Sequence, residues 1–154
     1  MSFLLLGLAV FLVDRVTKII TLTYLTIGDS TPLIKGVFHL TLVENRGGAF
    51  GLFKGVPIVF LIVSLVTLLL IIGLSQRIAR RPAPFRISLG LIAGGAAGNL
   101  FDRIAFGHVI DFLDFRVWPV FNIADSAITI GVALLLWDTL NKKRLDSKDA
   151  SDPV

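Results

Sequence analysis

The chain has no cysteine, one methionine, one tyrosine and two histidines in 154 residues. Without cysteine there is no disulfide framework, no thiolate nucleophile and no cysteine-built zinc site. Only His39 and His108 are present and no H-E-x-x-H occurs, so the metalloprotease pattern is missing as well. Charge is scarce: 17% of residues are Asp, Glu, Lys or Arg, where a soluble domain carries about 25%. Hydrophobic residues make up 55%, and the mean hydropathy is +0.84. So few polar residues cannot cover a globular surface in water, and the bilayer is the expected solvent. The basic residues flank apolar runs and form no domain of their own, so no nucleic-acid partner is expected.

A bilayer core about 30 Å thick takes roughly 20 helical residues per crossing. Four apolar stretches of that order stand out, at about residues 3–23, 56–74, 87–104 and 123–140. Together they use about 80 residues, which excludes a large soluble catalytic domain. Any chemistry must sit on the spans or in short loops. The first stretch has no basic segment before it, and residues 19–25 continue the apolar pattern past Asp14, Arg15 and Lys18. It therefore reads as a retained span rather than a cleaved signal. Residues 1–141 read as a single integral membrane domain and 142–154 as a polar tail, disordered from residue 146.

Arg77, Arg80, Arg81 and Arg86 crowd the link between the second and third spans, and Lys142, Lys143, Arg144 and Lys148 follow the fourth. The positive-inside rule places both segments, and with four spans both termini, in the cytoplasm. Residues 25–55 and 105–121 then lie outside. Within the first of these, residues 37–43 mix β-branched and apolar side chains between Gly36 and Glu44 and predict a strand of a small sheet on the outer membrane surface. Gly47, Gly48 and Gly51 allow tight turns near Phe50 and Phe53. The expected fold is all-α in the membrane, four transmembrane helices with a small extracytoplasmic β-element.

Ionisable residues within spans are costly and raise a functional hypothesis. Asp14 and Lys18 stand four apart on one helical face and can pair as a structural contact. Thr17 can bond back to a helical carbonyl, while Arg15 points elsewhere, to the interface or to another partner. Gly90, Gly94 and Gly98 repeat every fourth position, a spacing that lets helix backbones approach closely. Asn99 and Arg103 then share a face. Asp102, beside Arg103, stays ionised and reads as scaffold. Asp111 taken alone is a solvated loop acid, as is Asp114. Asp125 taken alone is favourable charge in the first turn of a helix capped by Asn122. Taken together, Asp111 and Asp125 lie at the same membrane face, and two carboxylates held close share a proton. One can activate water while the other protonates the carbonyl or the leaving nitrogen. With no cysteine, zinc set or Ser-His-Asp group, an aspartyl pair is the hydrolytic option this inventory best supports.

Five blocks now line up with a known pattern. Asp14-Arg15-Val16-Thr17-Lys18 resembles D-x-x-[ST]-K, and Asn45-Arg46-Gly47-Gly48-Ala49-Phe50 resembles N-x-G-x-A-F. The run from Gly94 to Arg103 resembles G-G-A-x-G-N-x-x-D-R, Val109-Ile110-Asp111-Phe112 resembles V-x-D-F, and Phe121-Asn122-Ile123-Ala124-Asp125 resembles F-N-x-A-D. In this order the blocks resemble lipoprotein signal peptidase (signal peptidase II), a family of bacterial membrane aspartyl peptidases, over about residues 14–140. Gly48 departs from the alanine common in that family. The resemblance implies an endopeptidase that removes the signal peptide of prolipoproteins before a cysteine carrying diacylglycerol. It implies Asp111 and Asp125 as the catalytic pair and Asn45, Asn99, Arg103 and Asn122 as polar support around them. Asp14, Lys18 and Asp102 form a structural polar core. It further implies no metal or organic cofactor, membrane lipids as partners, action as a monomer, and residence in the bacterial inner membrane with the site near its outer face.

Other classes remain open at this point. One is a small transporter or channel subunit; another is an assembly factor gripping partner helices through the glycine face. A serine–lysine peptidase would need Ser126 to meet Lys18.

Overall fold

The computed structural model describes residues 3–47 and 57–149, with the backbone alone for Pro57 and residues 142–149. In chain order the elements are α1 (Phe3–Tyr24), β1 (Ser30–Ile34), β2 (Phe38–Asn45), α2 (Pro57–Gly73), α3 (Ser75–Ala79), α4 (Ala83–Phe106), β3 (Val109–Asp114) and α5 (Ile123–Asp149). The bundle is inside out relative to a soluble one. Its helices expose Leu5, Leu12 and Ile19 from α1, Ile62 and Leu69 from α2, and Leu136 and Leu140 from α5. The buried interior holds Asp14, Lys18, Ser88, Asn99, Asp102 and Asn122. In water this arrangement would forfeit the apolar burial that drives folding; in hydrocarbon the polar groups are the ones that must be enclosed.

Among the described residues one helix, Ile123–Asn141, is by itself long and apolar enough to cross a membrane, and Ile58–Gly73 is a shorter apolar helix. Asp14, Arg15 and Lys18 on α1, and Arg86, Asp102 and Arg103 on α4, interrupt otherwise apolar helices. Buried residues on α1 fall at positions 3, 7, 14, 18 and 21, a single stripe facing the bundle. It meets the glycines of α4. A Cβ at Gly94 would lie 2.5 Å from the Gly7 carbonyl oxygen, and one at Gly98 would lie 2.5 Å from Asp14 Oδ2. On the neighbouring face, a Cβ at Gly95 would strike the Ala124 carbonyl of α5. The glycine stripe is thus occupied within the chain itself, which accounts for the packing signal without a partner helix.

The β-element is a three-stranded antiparallel sheet in the order β1-β2-β3. The expected strand at 37–43 is found one step on, as β2, and reaches Asn45. Two strands were not expected. β1 is a short exposed edge. β3 occupies the stretch read as a loop; it is buried on both faces at Val109, Ile110, Asp111 and Phe112, so its apolar run shows no alternation. Register pairs Val43 with Asp111 and Asn45 with Val109, with an irregularity between Leu40 and Val43. α5 also corrects the expected tail: it runs helical to Asp149, with no glycine or proline between Leu140 and that point to stop it. Gly48, Phe50, Gly51 and Phe53 lie outside the described residues.

Candidate active site

α1 contributes an ion cluster beneath the sheet. Lys18 Nζ lies 3.0 Å from Asp14 Oδ2 and 2.6 Å from Asp102 Oδ2. Arg15 Nη2 lies 3.1 Å from Asp14 Oδ2 and 2.6 Å from Asp102 Oδ1. The expected Asp14–Lys18 pair is present. Of the two readings of Arg15, the structure has the second, another partner: it turns inward to Asp102, its guanidinium over the Phe101 ring. Asp102 is fully buried and held by these two cations of α1, whereas its expected partner was the adjacent Arg103. Two backbone donors complete the cluster: Ala124 N–H to Asp14 Oδ1 at 3.1 Å and Ile110 N–H to Asp102 Oδ2 at 3.2 Å. Four elements are therefore pinned at one point, α1 and α4 through their side chains, β3 and the start of α5 through their backbones.

That pinning places the second set of polar groups. Asp111 comes from β3 and Asp125 from the first turn of α5, where Asn122 Oδ1 accepts the Asp125 N–H at 2.8 Å as the expected cap. Asn122 Nδ2 donates to Asp111 Oδ1 at 2.7 Å, and Asn45 Nδ2, from the end of β2, donates to Asp111 Oδ2 at 2.8 Å. Asn99 Nδ2 donates to Asp125 Oδ1 at 2.7 Å, and Asn122 Nδ2 reaches Asn99 Oδ1 at 3.1 Å. Both carboxylates thus belong to one network of amides. Asp111 is 1% exposed, far from a solvated loop acid. Burial and the like charge of Asp125 push its carboxyl up to about 7, although Asn45, Lys18 and Asn122 pull the other way.

A cavity of about 690 Å³ opens on this network. Asn45, Asn99, Arg103 and Asp125 form its polar end, and Phe60, Val63, Phe115, Trp118 and Ile130 are among its apolar walls. Arg103 donates to the Asn99 carbonyl at 3.3 Å, on the shared face expected for i and i+4, and its guanidinium lies over the Phe60 ring. Aromatics at the ends of α2 and of the loop before α5 were the available signal for these walls, but only their side-chain directions bring them together.

Two other readings are corrected. Asp114 is buried at 5% exposure; its carboxylate accepts the Thr41 hydroxyl at 2.7 Å, the Arg116 N–H at 2.8 Å and Arg116 Nη1 at 3.0 Å. Burial raises its carboxyl, but these donors outweigh it and hold the group below the usual carboxylate range. They also tie down Arg116 in the left-handed region at φ 65°. The serine–lysine arrangement is not formed either. The Ser126 hydroxyl donates to the Asn122 carbonyl at 2.9 Å, while Lys18 is engaged by two carboxylates and Asn99.

The sequence profile described as Signal peptidase (SPase) II matches residues 6–141. The chain is 46% identical over 129 residues to the lipoprotein signal peptidase of Halothermothrix orenii, covering 84% of this chain and 88% of that protein. It is 44% identical over 140 residues to that of Moorella thermoacetica, with 91% and 93% covered. A bacterial membrane enzyme solved by the in meso method superposes with a TM-score of 0.84 at 33% identity, over 92% of this chain and 88% of that one. A second such structure gives 0.80 at 34% identity, over 90% and 92%. The chain therefore belongs to the signal peptidase II family, as a membrane-associated aspartic endopeptidase of that type.

Proposed function

We propose that Asp111 and Asp125 are the catalytic pair, and that the enzyme removes the signal peptide of prolipoproteins by cutting before a diacylglyceryl-cysteine. The observation that carries the reading is the shared amide network at the cavity's polar end. It gives each carboxylate neutral donors, while burial and the like charge of Asp125 outweigh those donors and raise Asp111 to about 7, where a proton can be held or released near neutral pH. One carboxylate takes a proton from water as its oxygen attacks the scissile carbonyl carbon, while the other protonates the carbonyl oxygen. The tetrahedral intermediate then collapses as the C–N bond breaks, and a proton passes to the leaving amine of the cysteine. Asn45, Asn99, Asn122 and Arg103 support the pair and the substrate's carbonyls. The names of the relatives support the lipoprotein substrate, and the apolar cavity beside the carboxylates suits acyl chains.

In this reading α1, α2, α4 and α5 all span the bilayer. Residues 1–141 form one integral domain that acts as a monomer in the bacterial inner membrane, and 142–154 is cytoplasmic. The arginines around α3 and both termini lie inside; the sheet and the carboxylate pair lie at the outer face. The lipid-facing leucines and isoleucines of α1 support a span despite its charges, because those charges are enclosed. Reporter fusions after Arg81 and Lys143 should read cytoplasmic and those near Lys35 and His108 outside; the reverse pattern overturns the orientation. The function is tested by incubating purified enzyme with a diacylated prolipoprotein peptide and its unmodified counterpart. Cleavage before the cysteine, much faster with the lipid, is expected; equal rates mean that the acyl chains are not read.

A further inference from the structure

The three asparagines around the carboxylates are not free to choose which end of the amide they present. A backbone N–H and an ammonium can only donate, so whichever amide atom they face must be the oxygen. The Gly47 N–H fixes Asn45 Oδ1 at 3.0 Å, and the Asp125 N–H fixes Asn122 Oδ1 at 2.8 Å; each side chain is then left with its NH2 for Asp111. Among the described residues, Asn99 has no such backbone donor. Its oxygen faces Lys18 Nζ at 3.3 Å and shares a hydrogen of Asn122 Nδ2, which spreads two hydrogens over Asp111, Asn99 and the Ile110 carbonyl. The obligate donor for Asn99 is therefore Lys18, itself 1% exposed in the ion cluster.

Building on the reading of Asp111 and Asp125 as the catalytic pair, we propose that Lys18 is a positioning residue for the reaction: it holds Asn99 with its NH2 on Asp125 and keeps a positive charge behind the pair, which sets the pH range in which one carboxylate is ionised and the other protonated. The charged groups around it come from three sides. α1 supplies Asp14 and Arg15, α4 supplies Asp102 and Arg103, and the pair itself comes from β3 and α5. Asp14, Asp102, Arg15 and Lys18 sum to zero, so loss of the Lys18 charge leaves the cluster with an excess negative charge. A reversed Asn99 would also turn its carbonyl oxygen onto Asp125. Both changes disfavour ionisation of the pair, and Lys18 already draws Asp111 downward against burial.

The test is the pH profile of kcat for a diacylated prolipoprotein peptide, measured with the full chain in detergent for wild type, Lys18→Gln, Lys18→Met and Lys18→Arg. The position of the profile does not depend on how much enzyme folds, and Gln fills much of the same space if Met lowers the yield. Gln and Met are expected to move both limbs up by about one pH unit. At fixed pH that lowers the rate about tenfold on the acid limb and raises it about tenfold on the alkaline limb. Arg should return both limbs to the wild-type position. Limbs that drop together without moving assign Lys18 to scaffolding and overturn the proposal. Asp111→Asn and Asp125→Asn are run beside them. If those variants still cleave, the catalytic pair itself is wrong; if they lose cleavage while Lys18→Gln is unshifted, only the role of Lys18 fails.

Discussion

Two groups of aspartates lie one asparagine apart and are solvated by the protein in opposite ways. Asp14 and Asp102 meet the cations of Arg15 and Lys18 directly, at 2.6–3.1 Å. Among the described residues, Asp111 and Asp125 meet the side-chain amides of Asn45, Asn122 and Asn99 and no cation within salt-bridge distance. A carboxylate matched to a cation in a low-dielectric setting ties its elements together, because breaking the pair would strand a buried charge. One matched to neutral donors, with a like charge close by, can gain or lose a proton at modest cost. In the proposed reading the same side chain is a rivet in one place and an acid–base group one asparagine away, and its neighbours decide which.

Neutralising each group separately breaks this contrast most sharply. Asp111→Asn and Asp125→Asn should each lower the cleavage rate by about 10³-fold or more with little loss of folded protein, and the double variant should be no worse than either. Substantial cleavage by either single variant sinks the catalytic pair. Asp102→Asn should do the converse. It costs about 3–5 kcal/mol of stability by leaving two buried cations short of a partner, while activity per folded molecule at the optimum of its own pH profile stays within a few-fold. Thermal unfolding and active-site-normalised rates separate the two outcomes.

The pH dependence of stability sharpens the contrast further. The folded Asp111 titrates at about 7, above its ordinary 3.8, so the folded chain keeps a proton that the unfolded chain gives up between those values. The stability this contributes is complete below about pH 4 and is lost as pH rises through about 7. Asp111→Asn cannot lose it. The Tm of the variant minus that of wild type should therefore rise between pH 4 and 8, whatever its starting offset; a flat difference contradicts the raised value. Asn45→Ala removes one donor from Asp111 and should lower the rate about tenfold, with the folded yield little changed. The smallest effect is expected for Asp114→Asn, about 1–2 kcal/mol from a weakened Thr41 and Arg116 contact, read as a drop in Tm without a shift in the pH profile.

α1, α2, α4 and α5 were legible because each lies on one of the four apolar stretches, whereas α3 is five residues with no such run; Asn122 was legible as a cap because it stands just before α5. The Asp14–Lys18 pair followed from spacing within a single helix. Contacts between elements were harder. Arg15 meets Asp102 across 87 positions, and nothing local marks that meeting. β3 hid because burial on both faces removes the alternation that betrays a strand, and β1 because it is five exposed residues with a proline among them. Asp114 looked like a solvated acid because its partner Thr41 is brought near only by the register that sets His39 against it. The carboxylate pair could be suspected from residue types and the family likeness, but the amides that tune it are ordered by the fold.

The glycine contacts of α4 bear on how the enzyme rides in membranes of different depth. With the Gly94 and Gly98 positions filled by α1, and Gly95 lying on the Ala124 carbonyl, α4 has no slack for either neighbour to slide along it. With α1, α2, α4 and α5 spanning as proposed, a bilayer thinner or thicker than the bundle must then be met by tilting the helices as one body, or by the lipid deforming around them. The register between Asn99 on α4 and Asp125 on α5 is insulated from that load. What changes with bilayer thickness is the height at which the cavity meets a membrane-embedded substrate, so thickness should act on substrate capture while leaving the chemical step alone.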